Sequence, residues 1–125
     1  MLATHQIIAF IPTRDFAIAR PFYEDILGLR FVGQDQFALV MDANGTMLRI
    51  TAVGDFTPHP FTTLGWEATD IDQTVATLTA KGVKFNRYSF LEQDAAGIWS
   101  APGGAKVAWF ADPRSEERRV GKECQ

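Results

Sequence analysis

The chain reads as an α+β protein made of two β-α-β-β-β modules. Three observations predict this. An amphipathic helical stretch, opened by an acid and closed by a glycine, occurs at Asp15–Gly28 and again about 55 residues later at Asp70–Gly82. Each copy leads into a short basic-aromatic strand, Gly28-Leu29-Arg30-Phe31 in the first and Gly82-Val83-Lys84-Phe85 in the second. Between these stretches the residues alternate apolar and polar, or run apolar between turn signals, as strands do.

Gln6 to Ile11 is nearly all apolar, which predicts a strand buried on both faces and ended by Pro12. Thr13 to Phe31 holds the first helix, with Ile18, Phe22, Ile26 and Leu29 on one face. Thr13 or Asp15 can cap its start, and Gly28 suits the left-handed position past its end. Pro21 lies inside it and removes a backbone hydrogen bond at a cost of about 3 kcal/mol, so a kink or a late start is expected. Strands follow at Leu29–Val32 and Phe37–Met41, and Asp42-Ala43-Asn44-Gly45 marks a hairpin turn. Thr46 to Val53 alternates, with Met47, Arg49 and Thr51 on one face and Leu48, Ile50 and Ala52 on the other. Residues 55–60 hold Pro58, His59 and Pro60 and read as a linker between modules at 4–54 and 61–113. The second module has a strand at Thr62–Thr69 and a helix with Ile71, Val75 and Leu78 on one face. Strands are then expected at Val83–Arg87, Ile98–Ala101 and Ala105–Ala111, with a polar loop at Leu91–Gly97 and a turn at Pro102-Gly103-Gly104.

The 125 residues are 46% hydrophobic and 22% charged, so one ordered domain with a real core is expected. A net charge of −3, with basic residues scattered, gives no case for nucleic acid or an anionic membrane surface. No apolar run reaches the roughly 20 residues of a membrane-spanning helix, and no leader pattern opens the chain. The single Cys, Cys124, excludes an intrachain disulfide framework, and a cytoplasmic protein is the default expectation. There is no Gly-x-Ser-x-Gly, no paired Cys and His, and no phosphate-binding glycine loop.

The run Phe22-Tyr23-Glu24-Asp25-Ile26-Leu27-Gly28-Leu29, preceded by Asp15 and followed far downstream by Asp112-Pro113, resembles the vicinal oxygen chelate superfamily. That group contains glyoxalase I, extradiol dioxygenases, fosfomycin-modifying enzymes and bleomycin-binding resistance proteins. The resemblance covers residues 4–113. It implies the glyoxalase/bleomycin resistance/dihydroxybiphenyl dioxygenase-like fold, in which the modules form a curved half-barrel sheet with helices outside. It also implies a small-molecule ligand and a bacterial-type homodimer with its cavity at the chain-to-chain contact.

In that superfamily the metal enzymes take His, Gln or Glu ligands from the first and fifth strands and Glu from the fourth and eighth. Counting from the matching landmarks, Ile8, Arg49 and Leu64 hold the first three positions here, and the fourth falls beyond Pro113. Ile and Leu cannot ligate, and Arg carries a fixed positive charge. The expectation is therefore no metal and no cofactor. His5 and Glu67 stand as fallback ligands for a divalent metal, and Glu67 is also the one weak catalytic candidate, against the plainer reading of an ion pair with Arg49 or Lys106. The cavity lining is expected to come from Phe37, Met47, Arg49, Leu64, Trp66, Tyr88, Trp99 and Trp109, with Arg49 serving either as anchor for an acidic group or in an internal ion pair. Each aromatic also has an ordinary reading as core. Three functions stay open. The first is a metal-independent binding protein for a flat or amphipathic molecule. The second is a metal-dependent enzyme, either a glyoxalase I-like lyase or isomerase or a dioxygenase. The third is a regulatory ligand-sensing domain.

Arg114 to Cys124 breaks with what precedes it and is similar to the in-frame translation of a widely used short-read sequencing adapter. That resemblance implies a foreign tail at 114–125, outside the native fold. Glu116-Glu117-Arg118-Arg119 cannot replace an apolar strand, so the tail is expected to be disordered or weakly packed.

Overall fold

Eight strands and two helices follow one another in the computed structural model, which describes residues 1–122. In the first unit, residues 1–57, β1 (Ile8–Thr13) leads into α1 (Phe16–Pro21), then β2 (Arg30–Gln34), β3 (Ala38–Ala43) and β4 (Thr46–Ala52). In the second, from Pro58, β5 (Leu64–Glu67) leads into α2 (Ile71–Ala80), then β6 (Trp99–Ser100), β7 (Lys106–Ala111) and β8 (Glu117–Lys122). Each unit is one four-stranded mixed sheet, ordered β1-β4-β3-β2 and β5-β8-β7-β6. In both, the last strand lies inside the sheet and runs parallel to the first. The predicted α+β class of two β-α-β-β-β modules is the observed one, and neither sheet closes into a barrel.

The two helices start as the sequence requires. Asp15 accepts a hydrogen bond from the Ala17 backbone N–H at 2.9 Å, and Asp70 accepts one from Gln73 at 3.1 Å, each satisfying a donor the first turn leaves without a partner. Pro21 ends α1. A π-helical turn at Phe22–Ile26 continues it, with Leu27 N–H donating to the Phe22 carbonyl at 2.9 Å. The wide turn keeps Phe22 and Tyr23 buried past the proline. Asn44 and Gly45 both have positive φ, 51° and 91°, the backbone a two-residue hairpin between β3 and β4 demands.

Paired residues share a face of their sheet, so the register sorts the side chains. In the first sheet Ile11, Leu39, Met41, Leu48 and Ile50 form the sealed face, each at most 3% exposed. The Arg20 guanidinium of α1 lies 3.6 Å above the ring of Phe31, which pairs with Met41, so the helix covers this side. The opposite face carries Ile8, Phe10, Val40, Met47 and Arg49. β1 is thus not buried on both sides: Ile8 is 47% and Phe10 65% exposed. Pro12 sits within β1 rather than ending it, which an edge strand tolerates.

The second sheet departs from expectation twice. Val83–Arg87 forms no strand and contributes a lone bridge from Phe85 to Phe110. The missing strand comes instead from the tail. Glu117–Lys122 forms β8, and Glu116 and Arg118 are 1% and 0% exposed. The expectation of a loosely packed tail is therefore not met for residues 114–122; Glu123 to Gln125, with Cys124, lie outside the described residues. The charges are accommodated by pairing. Arg118 reaches Asp112 at 3.3 Å, and Glu116 accepts the His59 backbone N–H at 2.9 Å. Asp112 also accepts from the Arg114 and Glu116 backbone N–H groups, at 2.9 and 3.0 Å, which fixes the turn into β8.

Candidate functional site

Trp109 stands at the centre of an aromatic row on one face of the second sheet. It comes from β7, opposite Arg119 of β8. Its ring centroid lies 5.6 Å from that of Tyr88, edge-on, and 6.0 Å from that of Trp99. Tyr88 in turn touches Phe90 at 5.6 Å. The Tyr88 hydroxyl donates to Glu117, whose other carboxylate oxygen accepts from Thr62. Burial, followed by the hydrogen bond to Glu117, pushes the Tyr88 phenol above its ordinary value, with Asn86 opposing. Tyr88, Trp99 and Trp109, three of the expected lining residues, therefore form one connected group. Thr62, Glu117 and Phe90 were not foreseen. Glu117 lay in the discounted tail, and Phe90 lies in a stretch with no strand alternation.

Leu64 and Trp66 do not join this group. They pair with Arg118 and Val120, so they lie on the other face, with the buried Ala108 and Phe110. Glu67 pairs with Gly121 and shares the Trp109 face, where it is exposed. The displacement is one residue. Ile8 lies seven positions before the capping Asp15, and the matching position before Asp70 is Thr63, just ahead of β5. A one-residue step along a strand turns a side chain to the opposite face.

In the first unit Met47 and Arg49 share the open face, as the alternation predicts, with Met47 40% exposed. Phe37 lies just outside β3 and is 64% exposed. The Asp35 carboxyl is held below its ordinary range by the Ala38 and then the Phe37 backbone N–H groups, with a smaller contribution from the Arg49 charge. A cavity of about 380 Å³ opens on this sheet, lined by Ile7, Ile8, Val32, Val40 and Met47, with Arg30 and Asp42 also in the lining.

The metal positions implied by the resemblance do not suit a metal. Ile8 and Arg49 occupy two of them, and the fifth-strand position is Leu64 on the far face or Thr63. The counterpart of Arg49 in the second unit is Arg119: Phe10 pairs with Arg49 and Gly65 with Arg119, and each partner lies five residues before the capping Asp. Both units thus place a guanidinium where a carboxylate ligand would be needed. His5 ends an N-terminal turn, exposed, with Nδ1 2.9 Å from the Met1 carbonyl. Among the described residues no three His, Cys, Asp or Glu side chains are grouped to hold a metal ion, and no helix is long and apolar enough to cross a membrane.

Paired β-α-β-β-β units with the Phe-Tyr-x-Asp-x-Leu-Gly run define a class, and the chain belongs to it. The model of the glyoxalase/bleomycin resistance protein/dioxygenase superfamily matches residues 5–113. Among solved structures, a member of that superfamily from Sphaerobacter thermophilus superposes with a TM-score of 0.77 at 23% identity, covering 98% of this chain and 100% of that one. The bleomycin resistance determinant encoded on transposon Tn5 gives 0.75 at 20%, covering 98% and 100%. Lactoylglutathione lyase from Agrobacterium tumefaciens gives 0.73 at 16%, covering 94% and 93%. A comparison with curated protein sequences gives no match.

Proposed function

We propose that this protein binds a small, flat, largely apolar molecule without a metal ion, and does so as a homodimer. One observation carries the reading. Where relatives with metal chemistry need ligands, both units present a guanidinium, Arg49 and Arg119, and the first strand presents Ile8. The Tyr88–Trp109–Trp99 row supplies ring faces and edges on which a planar molecule can stack. A structural relative solved as a bleomycin-binding protein in complex with bleomycin, with a TM-score of 0.74, lends the fold a precedent for ligand binding. Phe10, Val32 and Phe37, each more than half exposed in the first unit, are apolar surface that a second copy would cover.

The test has two arms. Protein purified without chelators is assayed for bound divalent ions and dialysed against zinc, nickel and manganese. No stoichiometric ion is expected, and one tightly held would overturn the metal-free reading in favour of a lyase or dioxygenase. Quenching of tryptophan fluorescence by planar aromatic compounds is expected in the native chain and reduced by Trp109→Leu. Sedimentation should give twice the chain mass of 13.9 kDa.

A further inference from the structure

The loop between Asn86 and Gly97 is held by its own side chains. Gln93 accepts the Tyr88 backbone N–H at 2.8 Å and donates to the carbonyls of Asn86 and Gly97, both at 2.9 Å. Arg87 donates to the Ala95 carbonyl at 2.8 Å, and Asp94 accepts from Ala96 and Ile98. This network, with a single bridge from Gln93 to Trp99, satisfies the backbone of a segment outside the strands, so the loop is ordered before any ligand arrives. Yet the loop holds Phe90 out at 80% exposure, against the end of the aromatic row. A cavity of about 640 Å³ lies beside it, at the edge strand β6. Phe90 and Trp99 are its aromatic lining residues, Glu92 and Asp94 its charged ones, and no Lys or Arg lines it.

We infer that this loop cavity is a binding subsite for an organic cation carrying an aromatic ring, with Phe90 and Trp99 against the ring and Glu92 and Asp94 opposite the positive charge. This rests on the proposed binding function and names its ligand class. Aromatic faces attract a desolvated cation through the ring quadrupole. Two carboxylates in the lining outnumber the one nearby guanidinium, Arg87, which is tied to the Gln93 and Ala95 carbonyls, so the local field is negative and disfavours an anion of the same size. The preformed loop spares the ligand the entropy of ordering it.

The experiment is a fluorescence titration of the full chain with 9-aminoacridine, a planar cation, and with 1-anilinonaphthalene-8-sulfonate, a planar anion. Aminoacridine is expected to bind the more tightly. Phe90→Ala should weaken it about three- to fivefold. Glu92→Gln should weaken it about twofold and flatten its salt dependence. The anion's affinity should not fall with Glu92→Gln. If aminoacridine binding falls with Trp109→Leu but not with Phe90→Ala or Glu92→Gln, the subsite is refuted and the broader binding function stands. If the anion binds as well as the cation, the charge assignment is refuted. If neither compound binds the native chain, both readings fall. Asp94 is left unaltered because it ties the loop backbone.

Discussion

Replacing Arg118 by Met tests whether the charged last strand holds the second sheet together. Arg118 is fully buried between β5 and β7, and its guanidinium lies 3.3 Å from Asp112, whose side chain is 4% exposed. Methionine keeps an apolar stem of similar reach, so packing is largely conserved and what is lost is the charge with its hydrogen bonds to Asp112 and the Glu117 carbonyl. Asp112 then keeps its two backbone donors, Arg114 and Glu116, but loses the cation. Removing one member of a buried pair costs about 3–5 kcal/mol, and the retained donors place this case near the lower figure. About 3 kcal/mol is more than a hundredfold in the unfolding equilibrium and about 10 °C in Tm for a domain of this size. The assay is urea unfolding followed by tryptophan fluorescence. All three tryptophans, Trp66, Trp99 and Trp109, lie in the second unit, so the signal reports the sheet in question. Adding Asp112→Asn to Arg118→Met removes the orphaned charge and should restore at least about 1 kcal/mol, a coupling that distant sites would not show. A midpoint for Arg118→Met within about 0.5 kcal/mol of the native chain, the range of a surface substitution, would refute the reasoning. Residues 114–122 would then lie outside the sheet, as their resemblance to adapter sequence implies.

Three further outcomes are expected. Gly65→Ala would place a Cβ 2.6 Å from Arg119 Cγ and 3.0 Å from the Arg119 carbonyl oxygen; the side chain can shift but the carbonyl cannot, so a loss of about 1–3 kcal/mol is expected in the same urea assay. Ser115 has φ of 67° in the turn before β8, and Ser115→Gly should gain about 1 kcal/mol by relieving the Cβ contact. The Tyr88 phenol has its folded pKa raised above the ordinary 10.0. Its contribution to stability is therefore fully present below about pH 10 and is lost as pH rises through the folded value. Absorbance titration at high pH should show Tyr88 ionising late: Tyr88→Phe should remove its contribution from the late part of the curve, and Glu117→Gln should move that contribution back toward the ordinary value.

The first unit was legible almost strand by strand. Its signals are local: Asp15 as a cap, Asn44-Gly45 as a hairpin, and strict alternation from Thr46 to Ala52. The π-helical turn after Pro21 was not legible, because one extra residue in a turn leaves the apolar spacing nearly intact. The second unit was harder for two physical reasons. Val83–Phe85 repeats the composition of the first unit's second strand, but Gln93, Arg87 and Asp94 satisfy the following loop and leave little to pair. Glu117–Lys122 has no apolar pattern at all, and its burial depends on Asp112, which sequence alone does not place opposite Arg118. At the candidate site, Tyr88, Trp99 and Trp109 were foreseen and meet. Leu64 and Trp66 were assigned to the wrong face by a one-residue offset that no local signal corrects.

Each sheet joins its first strand to its last, with the last strand on the inside. During synthesis this order matters. β5 leaves the ribosome with no strand beside it and gains its neighbour only when β8 follows, about 54 residues later. At translation rates of about 5–20 residues per second that wait is roughly 3–11 s. Until then Leu64–Glu67 is a free edge, and β7 can pair only with the two residues of β6 and through the lone bridge to Phe85. The second half is therefore the half whose sheet edge stays open longer during synthesis, and nascent chains stalled before residue 117 are expected to bind chaperones more than chains that carry β8.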